Sequence, residues 1–343
     1  MTYSVKIAQH DQPVTVEMGQ TILEAALAQD VPYPHGCRSG NCGACKSRLV
    51  SGNVDLSPHS EFALTDEEKS RGLVLACRSV PWEDVEIAWM GEDDLIAHPL
   101  RKMVCRVTAL DRMTHDINLV RMDIISGGPF IFSAGQFTSV AFDTMPPRDY
   151  SIANPPADPG LEFHIRRIPG GIVSTFVQEN LSVGDEVRVE GPFGSSWLRE
   201  THRGPVIAIA GGSGLAPIKS IVEQALNAGM EQEIRLYFGV RDENDLYLAD
   251  HLAALAETHA NLVFVPVLSE PAGETTRRTG FVHEAVREDM TDPDGAKAYL
   301  AGPPPMVEAA TVLLEELGLR QEDIHADPFY TEAEKAVLEN GND

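Results

Sequence analysis

Basic charge is what this chain has least of. Its 27 lysines and arginines stand against 52 aspartates and glutamates, a formal net charge of −25 at pH 7. Such a surface repels polyanions, which excludes nucleic acid and anionic membrane as partners; steering toward a basic docking face, or plain solubility, remains as the use of the charge. No apolar run approaches the roughly 18 residues a membrane-spanning helix needs. The start, Met1-Thr2-Tyr3-Ser4-Val5-Lys6, enters an alternating strand pattern without a basic-then-apolar leader, so a reducing cytoplasm is the expected compartment. There is no internal repeat and no low-complexity tract, and 343 residues leave room for two or three domains.

Cysteine is also scarce, at five, but four of the five fall in a pattern. Cys37, Cys42 and Cys45 read C-x4-C-x2-C and are followed after a long gap by Cys77, the plant-type ligand spacing of a [2Fe–2S] cluster. Gly36, Gly40 and Gly43 interleave the thiols, as expected where backbone curls around a cluster and turns N–H groups toward its sulfurs. A structural zinc site would normally pair two C-x2-C knuckles, and the second is missing; a disulfide framework would suit a secreted chain. Cys105, in the strand-like run Met103–Val107, is expected to be a small core residue.

Along the chain, residues 1–91 predict a small β-rich cluster domain, with strands at Tyr3–Ala8 and Val14–Glu17 and a helix at Thr21–Ala28. Residues 92–101, acidic and proline-punctuated, predict a linker. Residues 102–200 read as short alternating strands between Gly and Pro turns, which predicts a closed antiparallel barrel. From 201 to 330 the texture becomes strand, glycine turn and helix, beginning with Val206–Ala210 and a helix at Leu215–Ala228, which predicts a parallel α/β nucleotide fold. The acidic tail, 331–343, is expected to fray.

Three constellations carry chemistry. A strand followed at once by Gly211-Gly212-Ser213-Gly214-Leu215-Ala216-Pro217 and a helix aims backbone N–H groups and a helix dipole at a phosphate, although it is not the G-x-G-x-x-G fingerprint and such turns also occur without a ligand. Arg148-Asp149-Tyr150-Ser151 combines a guanidinium fork suited to pyrophosphate, a ring face suited to a flat heterocycle and a hydroxyl suited to a ring nitrogen; elsewhere such a tetrapeptide is a surface turn. His164 to Gly171, with Ile172-Val173-Ser174-Thr175 opening a helix, makes a second anion site, or else Arg166 and Arg167 merely solvate a strand edge. Asp242, in Arg241-Asp242-Glu243 at the end of the second parallel strand, can accept from a ribose 2′-hydroxyl and repel a 2′-phosphate, which predicts NADH over NADPH.

Taken in order, the cysteine loop, Arg148-x-Tyr150-Ser151, Gly191-Pro192-Phe193-Gly194, Gly211 to Pro217, Gly302-Pro303-Pro304-Pro305-Met306 and Asp327-Pro328-Phe329-Tyr330 resemble the reductase components of bacterial ring-hydroxylating dioxygenases, the naphthalene type most closely. The resemblance runs from about Val5 to Tyr330. It implies a β-grasp ferredoxin domain, a six-stranded FAD barrel and a parallel α/β NAD domain. By the same resemblance Arg148 and Ser174 hold the FAD pyrophosphate, Tyr150 stacks on the isoalloxazine, Ser151 bonds near N5, and Phe329 covers the opposite face until nicotinamide displaces it. His164, Arg166, Gly171 and Val173 line the flavin, and Gly212, Ser213, Gly214, Gly302 and Pro303 the dinucleotide. Tyr150, Ser151 and Phe329 are the expected catalytic positions. Ala301 stands where many relatives carry cysteine, which puts the rate of hydride transfer in question but not the activity. Electrons are expected to pass from NADH to FAD to [2Fe–2S] and on to a ferredoxin or a Rieske-type terminal oxygenase, in a monomer. The alternatives are service to a soluble di-iron aromatic monooxygenase, and a cluster-bearing redox sensor.

Overall fold

The computed structural model describes residues 1–61, 63–90, 98–290 and 292–340; most of the expected linker lies outside the described residues. By backbone proximity the chain divides into two units, Met1–Ala97 with Tyr330–Asp343, and His98–Phe329.

The first unit holds β1 (Thr2–Ile7), β2 (Val14–Glu17), α1 (Ile22–Ala28), β3 (Lys46–Ser51), β4 (Val54–Leu56), α2 (Asp66–Ser70), β5 (Leu73–Leu75), β6 (Ser79–Pro81) and β7 (Val85–Trp89). Five strands form a mixed sheet in the order β2-β1-β7-β3-β5, in which β1 runs parallel to β7, and β4 and β6 form a separate ribbon. This is the β-grasp arrangement. Its core forms because β1, β2 and β7 alternate: Val5, Ile7, Val14, Val16, Val85 and Ile87 point inward against Ile22, Leu23, Ala25 and Ala26 of α1. Thr21 and Glu24 close a reciprocal capping box that starts α1.

The second unit begins with β8 (Arg101–Arg112), β9 (Ile117–Ser126), β10 (Phe137–Phe142), β11 (Arg148–Ser151), β12 (Leu161–Arg166), α3 (Ile172–Glu179) and β13 (Glu186–Phe193). The strands form one antiparallel sheet in the order β11-β10-β13-β8-β9-β12. Its two end strands lie against one another without a ladder among the described residues, but just past β11 the Ala153 N–H donates to the Glu162 carbonyl of β12 at 2.8 Å, a backbone bond across the seam. Val107, Val120, Val140, Phe142, Phe163 and Val189 fill it, with Val173 and Val177 of α3 as a plug. Cys105 is fully buried there, its thiol pushed up to about 12 by desolvation and the Asp123 charge, as befits a core residue.

The chain continues through β14 (Val206–Gly211), α4 (Leu215–Asn227), β15 (Ile234–Val240), α5 (Ala249–Thr258), β16 (Leu262–Leu268), β17 (Arg278–Thr279), α6 (Val282–Asp289), β18 (Lys297–Gly302), α7 (Pro304–Glu316) and β19 (Ile324–Pro328). All six strands are parallel, ordered β17-β16-β15-β14-β18-β19. Every residue of β14 is buried, as a strand covered on both faces by helices must be. Strand order reverses between β14 and β18, and a dinucleotide binds such a sheet at that switch point.

The tail corrects one expectation. Glu332–Asn340 forms α8, because Thr331 accepts from the Glu334 N–H at 3.2 Å while the Glu334 carboxylate accepts from the Thr331 N–H at 2.7 Å.

Candidate functional site

The cysteine loop joins α1 to β3, and Cys77 follows β5. Arg38, Gly40 and Gly43 take positive φ, which turns successive N–H groups inward. The Asn41 N–H donates to Cys37 Sγ at 3.1 Å, the Cys37 N–H to Cys42 Sγ at 3.2 Å, and the Cys77 N–H to Cys45 Sγ at 3.5 Å. A Cβ on Gly36 would stand 2.8 Å from Cys42 Sγ, so only glycine lets the backbone pass that close. All four thiols are free of disulfides, Cys45 and Cys77 buried and Cys37 and Cys42 half-buried. The Cys37 thiol is lowered to about 5, chiefly by hydrogen bonding with Cys42, whose own thiol is raised by the same bond and by burial; Cys45 is raised likewise beside Cys77. Four sulfurs that already bond pairwise and collect backbone N–H groups fit a [2Fe–2S] cluster. They do not form disulfides here, and the second zinc knuckle is absent from the sequence.

In the barrel, β11 pairs with β10 so that Tyr150 faces Thr138 and Ser151 faces Phe137. The Tyr150 ring lies edge-on to Phe142, centroids 6.2 Å apart, and burial raises its hydroxyl pKa. Arg148, half-buried at the start of β11, donates from Nη1 to the Pro147 carbonyl at 2.8 Å. The buried Ser151 hydroxyl lies 3.4 Å from Asp327 Oδ2, a carboxylate to which the sequence attached no role although it sits in a quoted motif. Ser174 Oγ accepts from the Ile168 N–H at 3.0 Å and donates to the Gly171 carbonyl at 3.3 Å, and Val173 is in the core. These two side chains are therefore occupied. What α3 offers an anion is its first-turn backbone, since Gly171 caps it with no side chain and no acid follows.

The side chain of His164 is engaged within the protein. Its imidazole is wholly buried and both nitrogens are used: Nε2 is 3.3 Å from Glu162 Oε1 and Nδ1 is 2.9 Å from the Tyr247 hydroxyl. Burial lowers its pKa, which favours the neutral imidazole. Glu162 also meets Lys219 at 3.2 Å, and Lys219 meets Glu223 at 3.0 Å, tying the barrel to α4. Burial alone would raise the Glu162 carboxyl; the His164 hydrogen bond and the Lys219 charge outweigh it and hold it at about 2 against an ordinary 4.5. A depressed carboxyl stabilises the fold above its unfolded pKa, and that stability is lost as pH falls from about 4.5 through about 2. Glu162→Gln should therefore cost on the order of 3 kcal/mol at pH 7, seen as a melting temperature several degrees lower. The deficit should shrink as melts are repeated at falling pH below 4.5. A deficit independent of pH would mean that shape, not charge, sets the cost.

At the switch point Gly212 takes φ +54° and Gly302 φ +145°. The two turns touch: a Cβ on Gly214 would lie 2.1 Å from the Ala301 carbonyl oxygen, and one on Gly302 2.8 Å from that of Gly211. Pro303 caps α7 without a side-chain bond, and Phe329, half-buried, donates its N–H to the Gly302 carbonyl at 2.8 Å. Ser213 lies in the 3-10 turn between Gly212 and Gly214 that leads into α4. Arg166 reaches the same turn, its Nη1 3.4 Å from a Gly212 Cβ position, while its Nε donates to Asp116 at 2.8 Å. Beyond the ends of β15 and β16 opens a cleft of about 620 Å³ lined by His115, Arg241, Asp242, Asn244, Asp245 and Glu270. Asp242 accepts from the Asn244 N–H at 2.7 Å, and Glu243 binds Arg277 at 2.8 Å. No helix among the described residues is long and apolar enough to cross a membrane.

Three family profiles match successive parts of the chain: a 2Fe-2S iron-sulfur cluster binding domain over residues 5–81, an oxidoreductase FAD-binding domain over 104–197, and an oxidoreductase NAD-binding domain over 208–311. The ferredoxin--NAD(P)(+) reductase component of the naphthalene 1,2-dioxygenase/salicylate 5-hydroxylase systems of Ralstonia sp. is 42% identical over 92% of this chain and 95% of its own. The phenol 2-monooxygenase reductase component of Pseudomonas sp. is 36% identical over 98% of this chain and 97% of its own. Among solved structures, an Amycolatopsis cytochrome P450 reductase superposes with a TM-score of 0.79 at 36% identity, covering 96% of this chain and 99% of that one.

Proposed function

The chain belongs to the family of iron–sulfur flavoprotein reductases that serve bacterial oxygenase systems, and we propose that it moves electrons from NADH through FAD and a [2Fe–2S] cluster to a ferredoxin or to the terminal oxygenase of an aromatic-ring-hydroxylating dioxygenase. The observation that carries this reading is the convergence of the four cysteines, with backbone donors on their sulfurs, in a chain that also holds a switch-point glycine turn against a flavin-type barrel. We divide the work among residues 1–91 for the cluster, 102–200 for FAD and 201–330 for NADH. A reducing cytoplasm, which keeps thiols free, is the compartment this work requires.

When bound, FAD turns the two-electron donation of NADH into single-electron steps, and the cluster hands them on singly. The residues supply grip and order. Arg148 and the bare first turn of α3, from Gly171 through Ser174, would hold the FAD pyrophosphate. Tyr150 and Phe329 would flank the isoalloxazine and exclude water, with Ser151 bonded at the ring edge. The Gly212–Gly214 turn, Arg166, Gly302 and Pro303 would seat the dinucleotide. None of these groups needs to act as an acid or base.

Purified protein should contain two irons, two labile sulfides and one FAD per chain. Arg148→Ala should lose most of its FAD, each charge-assisted bond to phosphate being worth about 1.5 to 3 kcal/mol; full flavin occupancy in that variant would remove Arg148 from the site. The 42% identity to the naphthalene-type reductase favours a dioxygenase partner. The phenol 2-monooxygenase relative at 36% keeps a di-iron hydroxylase as the second reading. Turnover with purified dioxygenase components but not with a di-iron hydroxylase decides between them, and the reverse outcome would sink the first.

A further inference from the structure

Arg241 leaves the end of β15 and lines the cleft, but two of its three guanidinium nitrogens are committed to a neighbouring carboxylate. Nε and Nη2 donate to the two carboxylate oxygens of Asp245 at 2.6 and 3.0 Å, a bidentate fork. Asp116, on the turn between β8 and β9, stands 3.9 Å from Nη2 and is itself gripped by Arg166 at 2.8 Å, and His115 Nδ1 lies 3.5 Å from Asp245. The carboxylates are the fixed members, 13% exposed for Asp245 and 15% for Asp116, whereas Arg241 is 49% exposed and drawn back onto them. Asp242, the acid expected to choose between dinucleotides, is engaged in capping its own turn. His115, Asp116 and Asp245 also bring their ligating atoms within 4.8 Å of one another, but Arg166 and Arg241 already neutralise both carboxylates, which argues against a cation there.

We propose that Asp245 is a specificity-determining residue: by holding Arg241 in the fork it withholds from the cleft the guanidinium that could grip a ribose 2′-phosphate, so that the cleft accepts the adenosine of NADH and rejects that of NADPH. The inference rests on the reading that this cleft takes the adenosine end of the dinucleotide. A 2′-phosphate would bring its charge beside Asp242 and Glu270 while two nitrogens of Arg241 stay committed to Asp245, whereas a 2′-hydroxyl can donate to either of the two acids. Releasing Arg241 would reverse that balance. It would leave the Arg241 charge without its bidentate partner and present a planar fork matched to phosphate.

The test is calorimetric titration of the full cofactor-loaded chain with 5′-ADP and 2′,5′-ADP. Asp245→Ala should improve the affinity for 2′,5′-ADP relative to 5′-ADP by about tenfold, the scale of one charge-assisted hydrogen bond. The double variant Asp245→Ala/Arg241→Ala should return most of that gain, and the ratio of kcat/KM for NADPH over NADH should follow the same order. Asp245→Asn, which keeps the shape and drops the charge, should shift the ratio less in the same direction and serves if the alanine variant loses its flavin. An unchanged ratio while 5′-ADP still binds would overturn the clamp and leave the cleft assignment standing, as would a gain that survives loss of Arg241. Absence of 5′-ADP binding to the unaltered protein would overturn the cleft assignment and the clamp together.

Discussion

Cys42→Ser should cut NADH-driven reduction of cytochrome c or a ferredoxin by about 100-fold or more while NADH still reduces ferricyanide. The reason is a division of labour along the chain. Every residue assigned to flavin or dinucleotide lies between Arg148 and Phe329, whereas Cys42 sits in a loop of the other unit. Its Sγ accepts from the Cys37 N–H, and Gly36 approaches it too closely for any side chain, so the loop is built around that sulfur. Serine offers a harder, less polarisable ligand, and the cluster should be lost or destabilised. Cluster binding also contributes folding energy, so the variant's far-UV and flavin circular dichroism must match the parent before the kinetics count. A folded, cluster-free Cys42→Ser that kept full cytochrome c activity would make the flavin the exit point and invert the proposed order. Loss of ferricyanide activity in a flavin-replete variant would instead show that the cluster unit is needed for the NADH step.

What the sequence revealed and what it concealed have separate physical causes. Strands buried on both faces are continuous apolar runs, so β14 is legible nearly to the residue: the expected Val206–Ala210 extends by one position, to Gly211. The cysteine loop was legible because metal ligation fixes spacing. The partner of Ser174 was not legible, because a hydroxyl at the start of a helix satisfies nearby backbone as readily as a ligand, and here it accepts from the Ile168 N–H. The partner of His164 was not legible, because Tyr247 lies 83 positions further along the chain. The fork at Arg241 was half legible: Asp245 stands four residues on, but Asp116 and Arg166 arrive from two other segments of the barrel. The tail helix was missed because low apolar content suggested fraying, while the Thr331–Glu334 box that starts it lies in plain sight.

Gly214→Ala should lower kcat/KM for NADH by about 100-fold while leaving FAD and cluster content intact, because overpacking against backbone has no flexible side chain to absorb it. The added Cβ would fall 2.1 Å from the Ala301 carbonyl oxygen and 2.4 Å from its carbon, both in the middle of the parallel sheet. Gly214 has an ordinary helical φ of −61°, so the glycine is required by proximity and not by conformation. Something must therefore move, and β18 is held on both sides, by β14 and by β19. The start of α4 is the freer partner, since Gly214 caps it without a side-chain bond. Its displacement would tilt the N–H groups and dipole away from the phosphate position at the switch point, while the barrel residues assigned to FAD stay in place. Gly229→Ala is the control: its φ is +70°, but nothing lies within 4 Å of the new Cβ, so it should cost only about 1 kcal/mol of backbone strain and leave NADH turnover unchanged. Flavin absorbance and a thermal melt exclude unfolding as the cause in either variant. A folded Gly214→Ala that bound and oxidised NADH like the parent would show that the glycine turn does not seat the dinucleotide, and the switch-point assignment would have to be abandoned.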